Sequence, residues 1–238
     1  RADRKDYSRA PISAKVVASC LEAQNVNRVI SCDLHSGQTC GFFSNNCPMD
    51  NLYNEVYFVD YIKYHIIPKY GENIVIVAPD EGAVKSATRV SGKLNVSAAT
   101  IFKNRERANV VSSMCLMGDV RGKVAILIDD MIDTAGTACK AASILKENGA
   151  SYIFMLATHG LFSGPALERI KDSDFNKIVV TNTVSQKSEI LQCNKIKIID
   201  VSWIIAEAIK RQHDGTSLSE LYLNRDVLRN NTGISFVN

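Results

Sequence analysis

Two adjacent carboxylates, Asp129 and Asp130, lead into a third acid, Asp133, and a small polar run of Thr134, Ala135, Gly136 and Thr137. An unbroken apolar run, Val124 to Ile128, precedes them, as expected for a strand buried on both faces of a parallel sheet. A helical stretch from Ala138 to about Asn148 follows. Strand, small-residue loop and helix in that order aim loop amides and a helix N-terminus at one point, which suits an anion such as phosphate. The carboxylates repel a phosphate. Their use is beside it, accepting hydrogen bonds from sugar hydroxyls or holding a cation. The competing reading is an ordinary strand-to-helix loop, in which Asp129 and Asp130 are solvated turn residues and Thr134 or Thr137 caps the helix.

Other residues with useful chemistry sit at the ends of predicted strands. Arg28 to Cys32 reads as a short strand ending in Asp33, Leu34 and His35. This strand, acid and polar turn repeats the layout of the central string and reads as a weak internal repeat of two α/β halves. His35 lies where open α/β sheets place ligands, so a metal or phosphate role competes with that of a surface or core histidine. Asp50, in a stretch read as an irregular connection, is either a water-facing turn residue or an acid supporting a ligand. A second apolar strand, Asn73 to Ala78, ends in Pro79, Asp80, Glu81, Gly82 and Ala83. There Asp80 either ligates Mg2+ or caps the turn.

A third strand, Ala98 to Phe102, runs into Lys103 to Asn109, predicted as a loop with three cations in five residues. That loop is either solvated surface or a cationic flap that closes over phosphates. His159, after a strand from Tyr152 to Ala157, is expected to orient its turn rather than to catalyse.

The elements that must position these residues alternate along the chain. Helices are expected at Ile12 to Gln24, Val59 to Tyr70, Ser163 to about Asp172 and Val201 to Arg211, with further strands at Lys177 to Thr181 and Lys195 to Asp200. Such alternation predicts an α/β fold with mainly parallel sheets. No low-complexity linker separates domains, and the boundary is placed near residues 57–65. This gives an N-terminal part at 1–60, a C-terminal domain at 61–222 and a polar tail at 223–238.

With 46% hydrophobic and 22% charged residues, the composition is that of a globular protein. A formal net charge of +3 gives no reason to expect nucleic acid. No apolar stretch approaches the length of a membrane span. Seven cysteines occur singly, which reads as reduced thiols in an intracellular, cytoplasmic protein.

The central string resembles the phosphoribosyl-binding loop of the phosphoribosyltransferase fold. Residues 8–15, 33–38, 41–43 and 50–53 join it in a wider resemblance, continued by residues 158–165, 180–183 and 206–209. Together they resemble ribose-phosphate pyrophosphokinase, also called phosphoribosyl pyrophosphate synthetase, from Arg1 to about Tyr222. The resemblance implies two phosphoribosyltransferase-like domains, the first incomplete in this chain because the family's opening segment is absent. The activity it implies passes the β,γ-diphosphoryl group of ATP to the 1-hydroxyl of ribose 5-phosphate, with Mg2+, giving AMP and phosphoribosyl pyrophosphate for nucleotide biosynthesis.

On the matching positions, Asp129 and Asp130 would bind ribose hydroxyls, and Asp133, Thr134, Ala135, Gly136 and Thr137 the 5-phosphate. Lys103 and Arg105 would stabilise charge on the transferring group. Arg1, Arg4, Lys5 and His35 would contact ATP, and Asp33, His35, Asp50 and Asp80 would serve the metal. The resemblance further implies a homo-oligomer, often a hexamer.

Three positions depart from the family's pattern. Ala2 stands where Gln is usual, residues 44–48 lengthen a connection and lack its usual acid, and Glu81 replaces a small residue. A non-catalytic, synthetase-associated regulatory subunit of the same fold is the alternative these departures keep open.

Overall fold

A computed structural model describes residues 2–5, 9–104 and 113–223. The chain divides into two compact units, Arg1–Asn54 and Glu55–Asn238.

The first unit contains helix α1 (Ser13–Ala23), strand β1 (Val29–Cys32), a 3-10 turn at Gly37–Phe42 and strand β2 (Met49–Leu52). The two strands pair in parallel, with Ile30 opposite Asp50 and Cys32 opposite Leu52. Asp50 therefore lies in a strand and not in the irregular connection expected from sequence. Asp and Asn are poor strand formers, and only pairing with a segment some twenty residues away makes this stretch extended. Beyond the ladder, the Asp33 N–H donates to the Leu52 carbonyl at 2.8 Å. Asp33 itself takes a left-handed backbone conformation, φ 38°.

The second unit opens with α2 (Glu55–Tyr61), a π-helical turn (Ile62–Ile66) and α3 (Ile67–Tyr70), a continuous run that starts before the predicted Val59. The π turn comes just before Pro68, whose missing N–H and bulky ring disrupt a regular α-helical ladder. A seven-stranded sheet follows, built from β3 (Ile74–Ala78), β4 (Ser97–Asn104), β5 (Ser113–Met117), β6 (Val124–Ile132), β7 (Tyr152–Gly160), β8 (Lys177–Thr181) and β9 (Ile196–Ile199). Its order is β5-β4-β3-β6-β7-β8-β9, parallel throughout except for the antiparallel β4–β5 pair.

The connecting helices are α4 (Val84–Leu94), α5 (Gly136–Glu147), α6 (Ala166–Asp172), α7 (Ser188–Leu191), α8 (Ser202–Asp214) and α9 (Glu220–Leu223). Every residue of β3 and the first five of β6 are buried, which is why both read as unbroken apolar runs. Val75, Val77, Ala125, Leu127, Met155 and Val180 share one core with Ala141, Ala142 and Leu145 of α5.

β7 runs to Gly160, past the predicted Ala157, and two further strands outrun their predicted lengths with polar residues. β4 continues through Lys103 and Asn104, which pair with Met114 and Ser113 and are not loop. Residues 105–109 of that stretch, including Arg105, lie outside the described residues. β6 continues to Ile132, so Asp129 and Asp130 are strand residues and do not follow the strand. The cause is the same in both cases: a neighbouring strand supplies hydrogen-bond partners to polar residues that would otherwise read as loop. Among the described residues, no helix is long and apolar enough to cross a membrane.

Candidate active site

β6 changes character at residue 129, where five buried apolar residues give way to two half-buried carboxylates. The ladder to β7 holds this end in place, pairing Asp129 with Ala157, Met131 with His159 and Ile132 with Gly160. The Asp129 carboxylate reaches forward to accept the N–H of the next residue, Asp130, at 2.9 Å. Burial, reinforced by the charge of Asp130 and more weakly by Asp80, pushes the Asp129 pKa up to about 8. Crowded carboxylates of this kind suit ligands that donate hydrogen bonds, such as sugar hydroxyls, or a cation that relieves their repulsion.

After Ile132 the chain turns sharply. The Leu161 N–H donates to the Ile132 carbonyl at 2.8 Å and the Ser163 N–H to the Asp133 carbonyl at 3.1 Å, tying the loop to the segment after β7. Ala135 then adopts a left-handed conformation, φ 58°, at a cost of about 1 kcal/mol for a residue bearing a Cβ. That turn starts α5 at Gly136, two residues ahead of the predicted Ala138. The N-cap is Ala135, and no side chain caps the helix. Thr134 and Thr137, both exposed, therefore do not act as the caps of the ordinary-loop reading. An N-terminus whose first-turn N–H groups have no side-chain acceptor suits a bound phosphate.

Asp80 lies two residues past the end of β3, the strand beside β6. Its Oδ1 accepts the N–H groups of Gly82 at 3.0 Å and Ala83 at 3.3 Å, so the capping role holds. Glu81, next along, is exposed. His159 meets the Thr183 hydroxyl through Nδ1 at 2.9 Å, and the hydroxyls of Thr181 and Thr183 approach the Thr158 carbonyl at 2.8 and 3.2 Å. His159 itself lies within β7 and not in a turn after the strand, and this polar network fixes its side chain there.

One contributor escapes the sequence altogether. Arg169, on α6, donates from Nη1 to the Thr134 carbonyl at 2.9 Å. The same nitrogen lies 3.3 Å from where a Cβ on Gly136 would sit. A single Arg in a short helix carries no motif, and only the folding of α6 against α5 brings it to the loop.

In the first unit, Asp33 Oδ2 accepts the Asn54 N–H at 3.0 Å, and His35 is exposed just after the turn. The Asp3 carboxyl is held below its ordinary value. Burial raises it, but hydrogen bonds from its own backbone N–H and the Ser36 hydroxyl, with His35 nearby, outweigh that. Asp50 faces Arg28 at 3.8 Å. Arg4 and Lys5 are exposed, and Arg1 lies outside the described residues. Among the described residues, no group of three His, Cys, Asp or Glu side chains is gathered to hold a metal ion.

A family model described as the phosphoribosyl synthetase-associated domain matches residues 105–223. Phosphoribosylpyrophosphate synthetase from Mycobacterium smegmatis is 34% identical over 90% of this chain and 68% of that one, with a TM-score of 0.82. The chain belongs to the phosphoribosylpyrophosphate synthetase family. Two weaker likenesses accompany it. Purine phosphoribosyltransferase from Pyrococcus horikoshii Ot3 is 17% identical over 53% of this chain and 81% of that one, TM-score 0.37. An adenine phosphoribosyl transferase from Trypanosoma brucei, solved with AMP, pyrophosphate and ribose-5-phosphate, is 20% identical over 66% and 74%, TM-score 0.40.

Within this synthetase family fold, the acids of residues 129–133 and the loop through Thr137 form one contiguous feature at the carboxyl end of β6, with Asp80 two residues past the end of the adjacent strand. Lys103 sits in β4, opposite Met114. Of the departures, Ala2 accepts the Ala14 N–H through its carbonyl at 2.9 Å. The lengthened connection is held by the Ser44 N–H on the Glu22 carboxylate at 2.5 Å and by the buried Cys47.

Proposed function

We propose that this protein is a ribose-phosphate diphosphokinase. The 1-hydroxyl oxygen of ribose 5-phosphate attacks the β-phosphorus of ATP and the bond from that phosphorus to the α-phosphate oxygen breaks. AMP leaves, the hydroxyl proton passes to solvent, and phosphoribosyl pyrophosphate is the product. The observation that carries this reading is the junction of β6 and α5. Paired carboxylates at Asp129 and Asp130 lie near the end of the strand that leads, through the turn at Asp133 to Ala135, into a helix N-terminus that no side chain caps.

In this reading the first-turn amides of α5 and the Asp133 to Thr137 loop hold the 5-phosphate, while Asp129 and Asp130 accept the ribose hydroxyls and orient the attacking oxygen. Lys103 and Arg105 spread positive charge over the moving phosphoryl oxygens. Arg1, Arg4, Lys5 and His35 contact ATP. By likeness to the family, Asp33, His35, Asp50 and Asp80 are assigned to Mg2+, the carboxylates being oxygen donors of the type it takes. The carboxylate crowding recorded by Asp129 fits a place where a cation belongs. Bound Mg2+ would supply charge neutralisation of the phosphates. The assembly is a homo-oligomer, a hexamer by likeness to the family.

A second reading, the non-catalytic regulatory subunit, is favoured by one observation: Asp50, an assigned metal acid, is paired with Arg28. AMP release from ATP and Mg2+, with and without ribose 5-phosphate, decides between them. Release that needs the sugar and falls about a hundredfold or more in Lys103→Ala supports the enzyme. No sugar-dependent AMP from folded oligomer would leave the regulatory subunit as the better account.

A further inference from the structure

We infer that Arg169 is a positioning residue for the phosphate loop and sets the protein's affinity for the 5-phosphate, an inference resting on the ribose 5-phosphate reading above. Its guanidinium reaches from α6 to the Thr134 carbonyl at 2.9 Å. In a trans peptide the carbonyl and the following N–H point in opposite directions. Holding the Thr134 carbonyl therefore turns the Ala135 N–H away from Arg169 and fixes the peptide plane that opens the loop. The next residue, Ala135, is in the left-handed region, which an alanine does not hold without outside support. The hydrogen bond from a charged donor on a separate element is that support.

Two further observations agree. Gly136 starts α5, and Nη1 of Arg169 lies 3.3 Å from the place a Cβ there would occupy. The guanidinium thus packs on the loop itself, and glycine leaves it room. Arg169 is in turn anchored by its own helix. Its N–H donates to the Pro165 carbonyl at 3.1 Å, and its carbonyl receives the Cys139 thiol of α5 at 3.6 Å. The side chain is exposed, so its loss does not open the core. Arg169 shapes the phosphate site from behind, without a place in the reaction itself.

The test is calorimetric titration of ribose 5-phosphate, and separately of ATP with Mg2+, into wild type, Arg169→Ala, Arg169→Lys and Gly136→Ala, with the melting temperature of each. Arg169→Ala is expected to weaken ribose 5-phosphate binding about tenfold or more while leaving ATP binding and the melting temperature nearly unchanged. Lysine, which keeps a charged donor, should restore part of the loss. The Arg169→Ala, Gly136→Ala double variant should lose less than the sum of the single losses, because both act through one contact. Equal binding by wild type and Arg169→Ala, or a loss shared equally by ATP, would overturn the inference. Absence of ribose 5-phosphate binding by wild type would instead overturn the substrate reading beneath it.

Discussion

The Asp130 N–H donates to Oδ1 of Asp129 at 2.9 Å, bringing the first carboxylate of the pair forward to the backbone of the second residue. Burial and the Asp130 charge then push the Asp129 pKa from 3.8 up to about 8. A folded-state pKa raised in this way favours folding fully below the unfolded value. The advantage is lost as pH rises through about 8. The carboxylate pair is thus kept at a cost in stability.

Asp129→Asn keeps the shape and removes the charge. In ligand-free protein it should match wild type near pH 4 and become the more stable form as pH approaches 8, gaining about 2–4 °C in melting temperature per kcal/mol relieved. Thermal melts across a pH series check this. A stability difference that does not change with pH would refute the assignment of the shift to Asp129.

Asp80 combines a cap with a charge, and two substitutions separate them. Asp80→Ala loses the acceptor for the Gly82 and Ala83 N–H groups and should cost about 1 kcal/mol. Asp80→Asn retains an acceptor oxygen, so its melting temperature should stay close to wild type while its Mg2+ requirement for AMP release rises. If the two variants needed the same Mg2+ as wild type, Asp80 would be a cap alone.

Gly160 ends β7 under close packing. A Cβ there would meet Phe162 at 2.6 Å and Val180 at 3.0 Å. Phe162 has little freedom to yield, being buried and itself at φ 49°. Gly160→Ala should lose about 1–3 kcal/mol in denaturant unfolding. An unchanged midpoint would mean that the aromatic ring moves aside without cost.

Glu55 is buried at the start of α2 and is reached by two cations of α4: Arg89, whose Nε donates to it at 2.5 Å, and Lys93 at 3.4 Å. Arg89→Ala leaves the carboxylate to Lys93 alone. Because Arg89 is half exposed and one partner remains, the expected loss is about 1–2 kcal/mol, below that of a fully buried pair. Urea unfolding of Arg89→Ala, Lys93→Ala and the double variant should show the double losing more than the sum of the singles.

Much of the second unit is legible in the chain itself. The apolar runs of β3 and β6 announce strands because both faces are covered, and burial of that kind leaves its mark on every residue. The composition of residues 129–137 likewise marks strand, turn and helix, since small and acidic residues at such a junction have few other uses. Where polar residues form strands, the sequence is silent: β2 around Asp50, and β4 at Lys103 and Asn104, are extended through pairing with another strand. Asp129 is visible as an acid, but its raised pKa comes mainly from burial, then from the Asp130 charge, with Asp80 beyond the end of β3 adding least.

The sequence by itself determined the types of residue gathered at the end of β6 and the family to which they belong. The tertiary structure alone decided that Ala135 turns left-handed with no side-chain cap behind it, and that Arg169, 35 residues from Thr134, holds the loop in that shape. Local composition specifies what a segment can do. Orientation and charge depend on neighbours that only the folded chain brings within hydrogen-bonding reach.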